Sequence, residues 1–222
     1  MKQRLDRHVI AMRTALELQD GWAVNLGNGL PDLIRDYIPE DRDIWLESEN
    51  GILGFKAIDL DTGEEPDWDY ITASGSAVKP IPGSSVFDSA QSFALMRCGR
   101  LDATVLGAMQ VSEKGDMANW TIHPEALGGP GGAADLLVGP KKKIVCMFHN
   151  TNDGEPRVVK ECTFPLTGKE CVNLLITDIA VIEITKEGMV LKEYAPGWTV
   201  EEIQALTEPK LTIAEDLKEI TF

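Results

Sequence analysis

Trp22-Ala23-Val24-Asn25-Leu26-Gly27-Asn28-Gly29-Leu30-Pro31 reads as a buried strand, a glycine turn and the start of a helix running to about Tyr37. The apolar run suits a strand covered on both faces, and Pro31 presets the backbone of a first helical turn. A strand–glycine loop–helix unit points backbone N–H groups above the sheet, which makes an anion site. A simple tight turn fits the same residues. The unit is not a dinucleotide fingerprint, because Asp32 stands where the third glycine of Gly-x-Gly-x-x-Gly belongs.

Working outward, Leu5, Val9, Met12 and Leu16 recur at helical spacing up to about Gln19, where Asp20-Gly21 stops the helix. Ile44-Trp45-Leu46 is a second buried strand, followed by Glu47-Ser48-Glu49-Asn50-Gly51. Residues Lys56 to Asp69 are acidic, contain Gly63 and Pro66, and read as an exposed loop. Asp88 or Ser89 caps a helix to about Arg97, ended by Gly99. Thr104 to Val111 and Ile144 to Phe148 are further buried strands, and Ile179–Ile184 with Met189–Leu191 form a hairpin. Thr199 with Glu202 is a capping box for the last helix. Mixed elements without a second composition regime predict one layered α/β domain spanning residues 1–222.

The 222 residues suffice for a sizeable core, and no transmembrane run, repeat or low-complexity tract interrupts them. The N-terminus lacks the apolar core of a secretory signal. Cys98, Cys146, Cys162 and Cys171 have no ligand spacing and read as free thiols of a reducing compartment, so the expected location is cytoplasmic. His8, His123 and His149 show no metal spacing either, and no metal site is expected. A net charge of −15 argues against nucleic acid or an anionic membrane as partner. Lys141-Lys142-Lys143 is the one basic run; it fits a solvated lead-in to the strand after it, or a phosphate contact.

Glu49 carries the chemistry. A carboxylate at the carboxyl end of a strand, ahead of an Asn-Gly turn, sits where open α/β sheets place their ligands. By itself it reads as a solvated surface group. Its company decides: Val24 to Pro31, Glu47 to Gly54, Phe87 to Phe93, Leu106 to Val111, Lys114 to Trp120, Gly131-Gly132-Ala133-Ala134-Asp135-Leu136 and Cys162 to Gly168. In this order they resemble the beta subunit of the 3-oxoacid CoA-transferases, which include acetoacetate-, butyrate- and succinyl-CoA:3-ketoacid-utilising enzymes. The resemblance runs from about Asn25 to the last helix.

The resemblance implies the NagB/RpiA/CoA-transferase-like fold, a central mainly parallel sheet flanked by helices. It implies an alpha-subunit partner, commonly in an α2β2 assembly. Coenzyme A is then a substrate rather than a permanently bound cofactor, exchanged between a short-chain or 3-oxo acyl-CoA and a carboxylic acid. Glu49 would attack the acyl-CoA carbonyl and pass through a mixed anhydride to a glutamyl-CoA thioester. An ordinary Glu ionises near pH 4.3, so no general base is needed. Both adducts are high in energy, which keeps each transfer near balance; a serine ester would be a sink. The resemblance sets Asn25 near the nucleophile; a buried Asn at a strand end also fits bonding to backbone alone. Gly131, Gly132 and Ala133 can aim bare amides at the tetrahedral oxyanion, each such donor being worth roughly 3–4 kcal/mol; they also fit a flexible loop before a helix.

Some positions depart from the family. Thr72-Ala73-Ser74-Gly75 lacks a lysine that many relatives carry at its end, His123-Pro124-Glu125 replaces Pro-Gly-Lys, and Pro130 and Ala134 replace two methionines. A small residue at 134 is expected to widen the acyl pocket. Two other activities compete with transfer: thioester hydrolysis, and a non-transferase role for the same fold as sugar-phosphate isomerase or metabolite sensor.

Overall fold

The computed structural model describes residues 2–58, 63–123, 125 and 128–221. The chain begins with α1 (Arg7–Ala15), β1 (Ala23–Leu26), a 3-10 helix (Pro31–Tyr37) and β2 (Trp45–Ser48). It continues through β3 (Ile52–Ala57), β4 (Val78–Val86), α2 (Ser89–Arg97), β5 (Ala103–Leu106), β6 (Gln110–Ser112) and β7 (Met117–Ala118). Then follow α3 (Ala133–Leu136), β8 (Lys142–Met147), β9 (Val158–Val159) and β10 (Leu174–Thr177). The last elements are β11 (Ala180–Thr185), β12 (Gly188–Tyr194), α4 (Val200–Ala205) and β13 (Leu211–Glu219).

Ten strands form one sheet in the order β13-β12-β11-β10-β8-β5-β1-β2-β3-β4, and β7-β6-β9 form a small second one. The middle five, β10-β8-β5-β1-β2, are parallel throughout. They are the apolar runs Ala-Val-Asn-Leu, Ala-Thr-Val-Leu, Lys-Lys-Ile-Val-Cys-Met, Leu-Leu-Ile-Thr and Trp-Leu-Glu-Ser. Near-continuous hydrophobicity is what a parallel strand covered on both faces requires. Alternate residues accordingly feed two cores. Val24, Val105, Ile144 and Ile176 pack under α1 and the 3-10 helix. Leu106, Val145, Met147 and Leu175 meet Met96 of α2, Leu136 of α3 and Ile203 of α4 on the opposite face. Each fully buried Leu or Ile adds about 1.5–3 kcal/mol of burial free energy.

The expected caps are present. Asp6 accepts from the amides of His8 (2.8 Å) and Val9 (3.0 Å), Asp88 accepts from Gln91 (2.8 Å), and Thr199 and Glu202 form the capping box. The structure differs from the sequence reading in three places. Helix α1 ends at Ala15 rather than Gln19: the chain tightens there into i→i−3 bonds (Glu17 to Thr14, Leu18 to Ala15), and the guanidinium of Arg42 takes up the free carbonyls of Leu16 and Leu18. The apolar run from Thr104 to Val111 is not one strand: after Leu106 the chain leaves the main sheet at Gly107, and Gln110–Ser112 pair with β7 and β9. After α4 the chain returns as β13, a polar edge strand that pairs in parallel with β12. Part of the loop expected between Lys56 and Asp69, residues 59–62, lies outside the described residues, as does Pro124.

Lys141 pairs with Asp102 (2.6 Å) and Lys142 with Glu17 (2.9 Å) at the amino end of β8, so the basic run braces the end of the sheet opposite to its ligand-binding edge. His149 is structural. It is fully buried, its ring contacts the hydroxyls of Thr177 (3.2 Å) and Thr207 (2.9 Å), and burial pushes its pKa down to about 3. An unfolded His takes a proton near pH 6.5, whereas this one in the folded chain does not, so acid favours unfolding. Measured by urea unfolding, the stability margin of the wild type over His149→Asn is expected to narrow by about 1.4 kcal/mol for each pH unit below 6.5.

Candidate active site

Strand β1 pairs in parallel with β2 on one side and β5 on the other, so the sheet's winding reverses there. A crevice opens at the carboxyl ends of strands at such a switch point. Here it is a cleft of about 480 Å³. Leu26, Gly27 and Asn28 line it from the end of β1, Leu106 to Met109 from the end of β5, and Pro130 to Ala133 from the loop entering α3. Its size is typical of small-molecule sites. Among the described residues, none of those lining it is Lys, Arg or His.

Glu49 enters this cleft from the tip of the β2–β3 hairpin. The tip is clamped. Gly51 donates to the Ser48 carbonyl (2.9 Å), and its own carbonyl accepts from Phe87 (2.9 Å). With φ at +114°, a side chain at 51 would also strike the Phe87 carbonyl oxygen, so only glycine makes this turn. Asn50 donates to the Ile71 carbonyl (2.7 Å), and the Ser48 hydroxyl accepts from the Ala73 amide (2.9 Å). These bonds hold residues 71–73 beside the tip, and Ala73 becomes part of the cleft wall.

The carboxylate of Glu49 is half-buried and receives no hydrogen bond among the described residues. Burial, and secondarily the charge of Asp135 on α3, raise its pKa above the usual carboxylate value. Against it lies Gly132. A Cβ on Gly132 would collide with Glu49 Oε2 and stand 2.9 Å from Cδ, so the absence of a side chain there is what leaves the carboxylate room. The backbone N–H groups of Gly131, Gly132 and Ala133 donate to no partner among the described residues.

Beneath the tip lies a row of buried polar groups. Asn25, Glu47 and Thr104 occupy matched positions on β1, β2 and β5. Asn25 Nδ2 donates to Glu47 Oε2 (2.7 Å), Ser92 of α2 donates to Glu47 Oε1 (2.8 Å), and Thr104 donates to Asn25 Oδ1 (3.4 Å). Glu47 is fully buried, and desolvation raises its pKa to about 7 against the opposing pull of the Asn25 and Ser92 hydrogen bonds.

The coenzyme A transferase family model matches residues 8–206 of this arrangement. The chain belongs to the coenzyme A transferase family. It is 42% identical over 208 residues to the beta subunit of the acetate CoA-transferase of Escherichia coli K12, covering 94% of each chain. It is 44% identical over 207 residues to the beta-type subunit of the succinyl-CoA:3-ketoacid coenzyme A transferase of Helicobacter pylori, covering 93% of this chain and 99% of that one. The fold matches the acyl-CoA transferase YdiF from Escherichia coli O157:H7 with a TM-score of 0.75 at 21% identity, over 100% of this chain and 44% of that one. The mainly parallel α/β architecture is that of the CoA-transferases.

Within this CoA-transferase chain, the structure brings Glu49, Gly131, Gly132 and Ala133 to one cleft. Asn25 is buried beneath the cleft, where its amide donates to the Glu47 carboxyl (2.7 Å) and to the Glu47 backbone carbonyl (3.4 Å). Ala133 and Pro130 line the cleft, and Ala134 is not among its lining residues. Gly75 lies in a separate groove with Arg35 and Trp68, and His123 is exposed outside the cleft. The sequence reading missed Glu47, although a charged residue inside a buried strand was a usable signal. It also missed Met109 and Asn119, which come from a stretch mistaken for uninterrupted strand and from the segment beyond it.

Gly132→Ala is expected to displace the Glu49 carboxylate and lower kcat about 100-fold, the usual consequence of an ångström-scale misplacement. An unchanged CD spectrum and melting curve beside the lost CoA-transfer activity would separate this from unfolding.

Proposed function

We propose that this chain is the beta subunit of a CoA-transferase that moves CoA between a short-chain or 3-oxo acyl-CoA and a carboxylic acid through a thioester on Glu49. The observation that carries this reading is a half-buried carboxylate facing a cleft, unbonded among the described residues, with three backbone amides of the same cleft that are likewise unengaged among them. A nucleophile tied down by Arg or Lys would have to break an ion pair before reacting; Glu49 has none among the described residues.

Glu49 Oε2 attacks the thioester carbonyl, and the amides of Gly131 to Ala133 receive the developing oxyanion. Collapse expels CoA thiolate and leaves a mixed anhydride. The thiolate then attacks the Glu49 carbonyl carbon, a C–S bond replaces the anhydride C–O bond, and the first acid departs as its carboxylate. A second acid reverses the sequence. The Glu49 anion is the reactive form, so activity falls with acid as its raised pKa is crossed.

The working enzyme pairs this chain with an alpha subunit in a cytoplasmic α2β2 assembly. The subunit names of its relatives support the alpha-type partner. So does the cleft, which offers no cation among the described residues for the phosphates of CoA, leaving that charge to another chain. Coenzyme A enters and leaves as substrate.

The test is intact mass of the co-purified complex exposed to acetoacetyl-CoA. A CoA-sized adduct is expected on Glu49, discharged by acceptor acid and absent in Glu49→Ala, whose turnover falls by at least about 10³-fold. CoA released steadily without acceptor would mark a hydrolase instead, and no adduct with any short acyl-CoA would remove Glu49 as nucleophile. Asp135→Asn is expected to extend activity to lower pH, because it deletes a charge that raises the Glu49 pKa; a pH–rate profile measures the shift.

A further inference from the structure

Among the described residues, Glu47 is the fully buried carboxyl that stands next to the nucleophile and that the transfer mechanism leaves unused. It lies within β2, two residues before Glu49 and buried below the cleft rather than among its lining residues. Every contact to its carboxyl is neutral: the amide of Asn25 from β1 and the hydroxyl of Ser92 from α2. Its neighbour across β3 is the apolar Leu53, and beyond Asn25 on β5 stands Thr104. The one charge that acts on it is Glu49 itself; Asp135 acts on Glu49, and is itself paired with Arg97. A full charge has no cationic partner at this place, although two good hydrogen-bond donors are already supplied.

We propose that Glu47 is a positioning residue whose proton responds to the state of Glu49, retained while Glu49 is an anion and released when Glu49 becomes a neutral acyl adduct. The inference rests on the reading of Glu49 as the acylated group. Adduct formation as a net step converts acyl-CoA and the Glu49 carboxylate into the Glu49–CoA thioester and a free carboxylate. It neutralises Glu49 and moves one negative charge to the departing acid. No proton is consumed or made in that exchange, so any proton released comes from a linked group. With its neighbour's charge gone, Glu47 ionises more readily, and Asn25 and Ser92 are already aimed to stabilise the anion it becomes.

Burial and the Glu49 charge together hold the Glu47 carboxyl near pH 7, inside the working range. By linkage, a proton given up on adduct formation makes the adduct more favourable as pH rises through that range. Glu47 thus biases the enzyme toward its covalent intermediate at neutral and alkaline pH, and toward the free carboxylate in acid.

Two measurements on the complex with its alpha subunit test this. Equilibrium occupancy of the Glu49–CoA adduct, followed by intact mass at fixed acyl-CoA and carboxylate, is expected to rise about five-fold between about pH 6 and 8, at the lower end of site-to-site couplings. Glu47→Gln keeps the volume, accepts from Asn25 through its one oxygen and turns its NH2 to donate to the Ser92 hydroxyl, and is expected to flatten that rise while still forming adduct. The same slope in Glu47→Gln would assign the titration elsewhere and overturn the proposal. The second measurement needs no adduct and so is independent of the transferase reading. Infrared titration of the protonated carboxyl band, assigned to Glu47 by its loss in Glu47→Gln, is compared in wild-type and Glu49→Gln complexes. Its midpoint is expected near neutrality and to move toward acid when the Glu49 charge is removed. A midpoint unmoved by Glu49→Gln, or one in the ordinary carboxylate range, overturns the proposal even if Glu49 is acylated.

Discussion

Because β1 hydrogen-bonds in parallel to β2 on one side and β5 on the other, the segments leaving these three strands must diverge, and the space between them cannot be filled by the sheet's own connections. The cleft follows from this reversal. The β2–β3 hairpin then decides what the cleft contains. Its reversal at Gly51 is fixed by the Phe87 backbone, and its flanks by Asn50 and Ser48, so the intervening Glu49 has little freedom to point elsewhere. Reactivity here is thus arranged by backbone hydrogen bonds in the rim and by the missing side chain of Gly132 opposite, rather than by a charged partner.

The electrostatics are built from carboxyls at different depths. Glu49 is half-buried and open to ligand, Glu47 lies fully buried below, and Asp135 stands on α3 beyond. A charged group without a cation is costly to bury, and the usual resolution is protonation. Glu47 follows that rule, and its hydrogen bonds from Asn25 and Ser92 keep it close to the balance point. The acidic character of the whole chain does not set these values; burial does, adjusted by the few groups beside each carboxyl.

Much of this was legible in the amino-acid order. Strand β1, the 3-10 helix after Pro31, the cap at Asp88, the β11–β12 hairpin and the Thr199 capping box are local features whose residues state their own geometry. Glu49 and Gly131 to Ala133 were recognisable through motif order, though no local rule says that residues so far apart in sequence meet. The break at Gly107 was hidden because hydrophobicity continues across it while the chain changes sheets. The early end of α1 was hidden because the apolar spacing continues past Ala15, while the Arg42 that caps the carbonyls beyond it lies on another segment. The role of Asn25 needed the register of three strands, which no periodicity reveals.

A ten-stranded open sheet has two margins, each able in principle to recruit another molecule's strand and begin a fibre. One margin, β13, sets Glu215, Asp216, Lys218 and Glu219 within a nine-residue strand. The other, β4, contains Pro80 and Pro82, which remove two backbone donors, and Gly83 at positive φ beside them. Neither margin presents the flat, uninterrupted row of donors and acceptors that templating demands. Polymerisation along the sheet is thereby discouraged at both ends by different chemistry, charge on one side and missing N–H groups on the other.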